Sequence, residues 1–176
     1  MRRRAFVTAS LAALAAPAFA QTAPAAPSGP PPMITPQNPL EESFLEAFDT
    51  PSLRASFRRE FLGSPVALAL SARDPGAPPR SIRLRNGAYA CLIFTSAARA
   101  AEVMGPGSPK LVVTGREALE RVRGTNVIIN INLTPYLTLE AEDVEAYLTL
   151  TDDEFNARQA APPAHSTAPN LAGPAQ

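Results

Sequence analysis

A chain of 176 residues with 16 basic and 16 acidic side chains, 45% of its residues hydrophobic, has room for one ordinary domain and its tails. Without an excess of basic residues it lacks the footprint of a nucleic-acid binder, and a single cysteine excludes an internal disulfide framework. The lone histidine, His165, lies in a Pro/Ala-rich tail, which excludes histidine-based triads and histidine-containing zinc sites from the domain itself.

Met1 to Ala20 begins with Arg2, Arg3 and Arg4, continues with an apolar run from Ala5 to Ala16, and ends in Ala18-Phe19-Ala20. This pattern predicts a cleaved export signal, with Ala18 and Ala20 forming the small-residue site and Gln21 starting the mature chain, and hence a periplasmic or secreted protein. Arg3-Arg4-Ala5-Phe6-Val7 resembles the twin-arginine export signal, an ordinary Sec signal being the alternative. The apolar run is well short of the roughly 20 residues needed to cross a bilayer, so no membrane association is expected after cleavage. The mature chain would hold 13 basic and 16 acidic residues, a net charge of −3.

Residues 21–37 are rich in proline and uncharged, and are expected to form an extended, disordered linker. The folded domain is expected over residues 38–150. Asn38-Pro39-Leu40-Glu41 opens it with an N-cap, a proline at the first helical position and a glutamate three residues after the cap. Leu40, Phe44, Ala47 and Phe48 follow at helical spacing. Thr50-Pro51 repeats the device, and Leu53, Phe57 and Phe61 continue to Gly63, so an αα-hairpin with an aromatic seam is predicted. Val66 to Leu70 reads as a strand, followed by a proline-rich loop.

Asn86-Gly87 is a strong signal for a two-residue hairpin turn. That register pairs Leu84 with Tyr89 and Ile82 with Cys91, putting Ile82, Leu84, Tyr89, Cys91 and Ile93 on one core face. Ala90, Leu92 and Phe94 form a second apolar face, so the second strand is expected to be covered on both sides. Thr95 or Ser96 then caps a helix that ends at Gly105. Lys110 to Val113 is a strand, Thr114-Gly115-Arg116-Glu117 a capping box opening a helix that ends at Gly124, and Asn126 to Asn132 a strand. Tyr136 to Leu139 and Glu140 to Leu148 complete the domain as a strand and a helix. Residues 151–176, acidic and then Pro/Ala-rich, read as a disordered tail. The fold class is therefore α+β: a mixed sheet of five or six short strands containing the Asn-Gly hairpin, with the αα-hairpin and further helices packed on it.

The motifs Asn38-Pro39-Leu40-Glu41, Phe57-Arg58-Arg59-Glu60-Phe61-Leu62, Phe94-Thr95-Ser96 and the asparagine-ended strand Val127 to Asn132 resemble, in order and spacing, the SseB N-terminal domain family. The family's strand ends in Asn-Pro, whereas Asn130 and Asn132 here are each followed by an apolar residue, and familiar members look cytoplasmic. The resemblance implies an α+β module and no particular biochemical role.

Cys91, on the core face of a strand, reads as an inert buried thiol. No GxGxxG, GxSxG or P-loop spacing occurs, and the paired carboxylates sit at helix starts, where the helix dipole accounts for them. No cofactor or metal is expected, and no enzymatic activity. The leading expectation is an exported, non-enzymatic module that binds a protein or peptide. Asn130 and Asn132, expected on one side of a strand, could read an extended backbone, with Arg83 and Arg85 supplying charge. The alternative is a small-ligand binder or weak enzyme built on asparagine and arginine groups. An exposed apolar patch would favour the first, and a concave pocket with convergent polar groups the second.

Overall fold

The computed structural model describes residues 31–160. The export signal with Ala18, Ala20 and Gln21, the linker up to Pro30, and His165 lie outside the described residues. Among those described are six α-helices and six strands, an α+β architecture.

Helix α1 spans Pro39–Asp49 and starts as its sequence dictates, the Asn38 side chain accepting the Glu41 N–H at 3.0 Å. Thr50 makes no side-chain cap; a 3-10 turn over Pro51–Leu53 leads instead into α2, Arg54–Gly63. Phe44, Phe57 and Phe61 form the expected seam, with ring centroids 5.3 and 5.9 Å apart. Such pairs are worth about 0.5–1.5 kcal/mol beyond area burial. Phe48 is 57% exposed and Leu53 38%, so these two stand off the seam they were expected to join.

Strand β1 (Pro65–Ala69) pairs antiparallel with β3 (Tyr89–Phe94) on one side and with β4 (Lys110–Thr114) on the other. β3 pairs in parallel with β5 (Asn126–Ile129), which pairs antiparallel with β6 (Leu137–Leu139). The sheet order is β4-β1-β3-β5-β6, with β2 (Ser81–Arg83) also on β3. β3 is thus central, and Ala90, Cys91, Leu92, Ile93 and Phe94 are all buried.

The two-residue hairpin is corrected. Arg83 lies opposite Tyr89, Ile82 opposite Ala90 and Ser81 opposite Cys91. Leu84 N–H donates to Ala88 O at 2.7 Å and Gly87 N–H to Leu84 O at 3.0 Å, so Arg85, Asn86 and Gly87 make up the connection. Gly87 alone takes a left-handed backbone, φ 85°, while Asn86 turns its Oδ1 to accept the Ala88 N–H at 3.0 Å. The physical reason is that the asparagine side chain satisfies its own turn, and only one residue needs positive φ. The one-residue slip moves Ile82 and Leu84 onto the face of Ala90, Leu92 and Phe94. Tyr89, expected in the core, is 59% exposed at the strand's start.

Helix α3 (Ala97–Met104) covers that second face through Ala100, Val103 and Met104, resting on Ala67, Ala69 and Ala90, whose small side chains allow close approach. Ser96 caps it, and Gly105 ends it at φ 93°. The other face carries Val66, Leu68, Cys91, Ile93, Val127, Ile129 and Leu139 and packs against α1, α2, α4 (Gly115–Arg121) and α5 (Ala141–Thr149). Thr114 and Glu117 form the predicted capping box. At Gly115 a Cβ would fall 2.0 Å from the Phe61 carbonyl oxygen, so glycine is required where α4 meets α2.

The folded region is wider than expected at both ends. Ile34 is 5% exposed, its N–H donating to Thr134 O at 2.7 Å, and Thr134 N–H donates to Pro32 O at 2.8 Å across a bridge between Met33 and Thr134. Residues 31–37 are therefore held on the domain rather than free as linker. Residues 152–160, expected as tail, form α6 (Asp152–Ala160). Its Phe155 is buried against Tyr147, and Asp152 accepts from Arg58 and Arg59. The chain docks there because Phe155 has apolar area to bury and Asp152 meets two arginines of α2.

Candidate functional site

A groove of about 420 Å³ lies between α1, α2, β6, α5 and α6. Its walls are Phe44, Phe48 and Phe57 from the helical hairpin, Leu137 and Leu139 from β6, and Tyr147 and Phe155 from the C-terminal helices. The volume falls within the roughly 300–1,000 Å³ usual for ligand pockets. Four polar residues also line it: Arg54, Thr138, Asp143 and Gln159. Arg54 donates from Nη1 to Gln159 Oε1 at 3.1 Å. Asp143 accepts Arg158 Nη2 at 3.0 Å and the Glu140 N–H at 3.1 Å. The Tyr147 hydroxyl makes no hydrogen bond to another described residue. Burial, reinforced by the charge of Asp143, pushes that phenol well above its ordinary value against the opposing pull of Arg58 and Arg54.

Arg58 also approaches this corner but is fully engaged. Its Nε donates to Tyr147 O at 3.0 Å, its Nη1 to Asp152 Oδ1 at 2.9 Å and its Nη2 to Leu150 O, while its guanidinium carbon lies 5.2 Å from the Phe155 ring centroid. These bonds fasten α6 to α2 and so form the groove's end wall.

The sequence-predicted binding residues do not converge. β5 ends at Ile129, so Asn130 and Asn132 lie in the following turn, both with φ of 60°, and share no strand face. Asparagine tolerates that backbone better than most residues. Asn132 is exposed, whereas Asn130 is fully buried and its Oδ1 accepts the Thr95 N–H at 3.0 Å. Arg83 lies beside Tyr89 at the start of β3, and Asn130 binds the Ile93 carbonyl near its end. At about 3.3 Å per residue that places them roughly 13 Å apart along the strand. Arg85 is exposed in the hairpin connection.

Asn130 belongs to a buried polar cluster that the sequence reading did not assemble. Glu41, fully buried, receives Arg99 Nε at 3.0 Å and Nη2 at 2.9 Å, Thr95 Oγ1 at 2.8 Å and the Gln37 N–H at 2.9 Å. The single Thr95 hydroxyl proton goes to the carboxylate, and Asn130 Oδ1 is held by the Thr95 amide. The opposite amide orientation would set two donors against each other, so Asn130 Nδ2 is left buried without a partner among the described residues. Burial alone would push the Glu41 carboxyl up. The bonds from Arg99, Thr95 and Gln37 outweigh it and leave the group below its ordinary value. Arg99 also donates to Thr35 O and pairs with Glu102 at 2.8 Å, so the cluster ties residues 35–37 to β3 and α3. With both carboxylate oxygens of Glu41 occupied, the cluster acts as a structural lock.

A smaller depression of about 190 Å³ lies between Ser81, Tyr89, Cys91, Arg121, Arg123 and Thr125. Cys91 is 7% exposed, its Sγ 3.7 Å from Thr125 Oγ1. No group of three or more histidine, cysteine or carboxylate residues is placed to hold a metal among the described residues, and no described helix is long and apolar enough to cross a membrane. Comparisons with protein-family models, with curated proteins and with solved structures each find no match.

Proposed function

We propose that this chain is an exported, non-enzymatic binding module whose ligand sits in the groove between α1, α2, β6, α5 and α6. The observation that carries the reading is the aromatic lining of a 420 Å³ concavity that keeps a largely exposed phenylalanine, Phe48, at its mouth. A concave apolar site with a few polar groups is what a small-ligand binder presents, whereas the asparagine-edged peptide site loses its basis once Asn130 is enclosed. Export rests on the arginine start, short apolar run and Ala18-Phe19-Ala20 of the sequence. The kinship implied by the SseB-like motifs fits a module of this kind. Glu41 of the first motif, Thr95 of Phe94-Thr95-Ser96 and Asn130 of the last meet in one hydrogen-bonded cluster, which gives those residue types at those spacings a common structural task.

A neutral fluorophore, 1-aminoanthracene, tests the groove. The purified chain should raise its emission saturably, and Phe48→Glu should weaken binding at least fivefold with an unchanged melting temperature, because Phe48 contributes little to the core. Equal binding by that variant, or no binding by the parent chain, would remove the reading.

A further inference from the structure

We propose that the ligand of this groove is a small carboxylate with an apolar body, its carboxylate received by Arg54 at the rim. The inference rests on the groove being a binding site and adds the chemistry of what it selects. Two arginines stand near Tyr147, and they differ in one respect. Arg58 is consumed by two carbonyls and Asp152, whereas Arg54 is bound only to the neutral Gln159 and makes no ion pair among the described residues. A half-buried guanidinium at the edge of an aromatic pocket, without a counter-charge, favours an anion over a neutral or cationic head.

The one acidic residue in the lining does not reverse this preference. Asp143 receives Arg158 and the Glu140 N–H, which offset its charge in part; it still acts on the Tyr147 hydroxyl, so the preference for an anion rests on Arg54, which makes no ion pair among the described residues. The Tyr147 hydroxyl, without a partner among the described residues, stays protonated across the accessible pH range because burial holds its pKa up. It is thus available as a second donor to a carboxylate oxygen. The 420 Å³ holds roughly 14 water volumes at about 30 Å³ each, which suits an apolar body of about that many heavy atoms.

Decanoate and decanol, equal in chain length and different only in the head group, make the test by isothermal calorimetry on the purified chain. Decanoate should bind at least tenfold more tightly than decanol, Arg54→Gln should bring the two within twofold, and Tyr147→Phe should weaken decanoate alone. All three chains should keep one melting temperature. Equal affinities for the two ligands in the parent chain would leave the groove as a site and overturn the charge preference. No binding of either ligand, together with no binding of 1-aminoanthracene, would overturn both. A neutral capped peptide such as acetyl-Phe-Leu-amide that binds where decanoate does not would reassign the groove to peptides and overturn the proposal.

Discussion

Glu41 shows how a residue's position in sequence and its role in the fold can diverge. Its place three residues after Asn38 reads as a helix-capping glutamate, yet its carboxylate turns inward to meet Arg99, Thr95 and the Gln37 amide, 0% exposed. Breaking a buried ion pair leaves an uncompensated charge at a cost of about 3–5 kcal/mol, so Glu41→Gln should lose stability of that order at pH 7. Because the folded-state pKa of Glu41 lies below its unfolded value, the ionised group's contribution is present above about pH 4.3 and is lost as pH falls through the folded value. Urea unfolding at pH 7 and pH 3 should therefore show the gap between parent and variant narrowing in acid. A gap that stays constant between the two pH values would contradict preferential ionisation of Glu41 in the fold. Spacing along the chain gave no hint of this pairing, since Glu41 and Arg99 are 58 positions apart and meet only after β3 has been placed.

At the scale of elements, caps and stops were legible wherever a short-range signal carried the physics. Asn38, Ser96 and the Thr114/Glu117 box open α1, α3 and α4, and Gly105 closes α3. The hairpin register was not legible, because Asn86 can satisfy a turn either through positive φ or through its side chain, and burial of Ile82 and Leu84 against the α3 layer selects the second. The α6 helix was legible in part and missed. Thr151 and Glu154 have the spacing of a capping box, with Thr151 N–H donating to Glu154 Oε2 at 2.8 Å, but the Ala/Pro composition beyond them dominated the reading. Phe155 is what makes that helix part of the fold, 2% exposed between Tyr147 and Arg58. Phe155→Ala should cost about 3–5 kcal/mol in denaturant unfolding, the usual range for a truncated core phenylalanine. A loss below about 1 kcal/mol would return residues 152–160 to a peripheral tail.

For the molecule as a whole, the sheet divides the labour. One face is sealed by α3 over a floor of alanines, and the other is covered by α1, α2, α4 and α5, with α6 docked on α2 and α5. The cover is incomplete where α1, α6 and the edge strand β6 fail to close, and the groove is that gap. Its lining runs from Phe44 to Gln159 across five elements, so no local motif could have announced it, although Phe44, Phe48 and Phe57 were visible as core material and Phe155 was assigned to the tail. The most direct test of the central claim is a two-dimensional NMR titration of the isotope-labelled chain with 1-aminoanthracene. Ligand-dependent shifts should centre on Phe44, Phe48, Leu137, Leu139 and Tyr147, with Arg83, Asn132 and the α3 face unmoved. Shifts centred on Tyr89 and Arg121, or spread without focus over the surface, would contradict the assignment of this groove as the binding site.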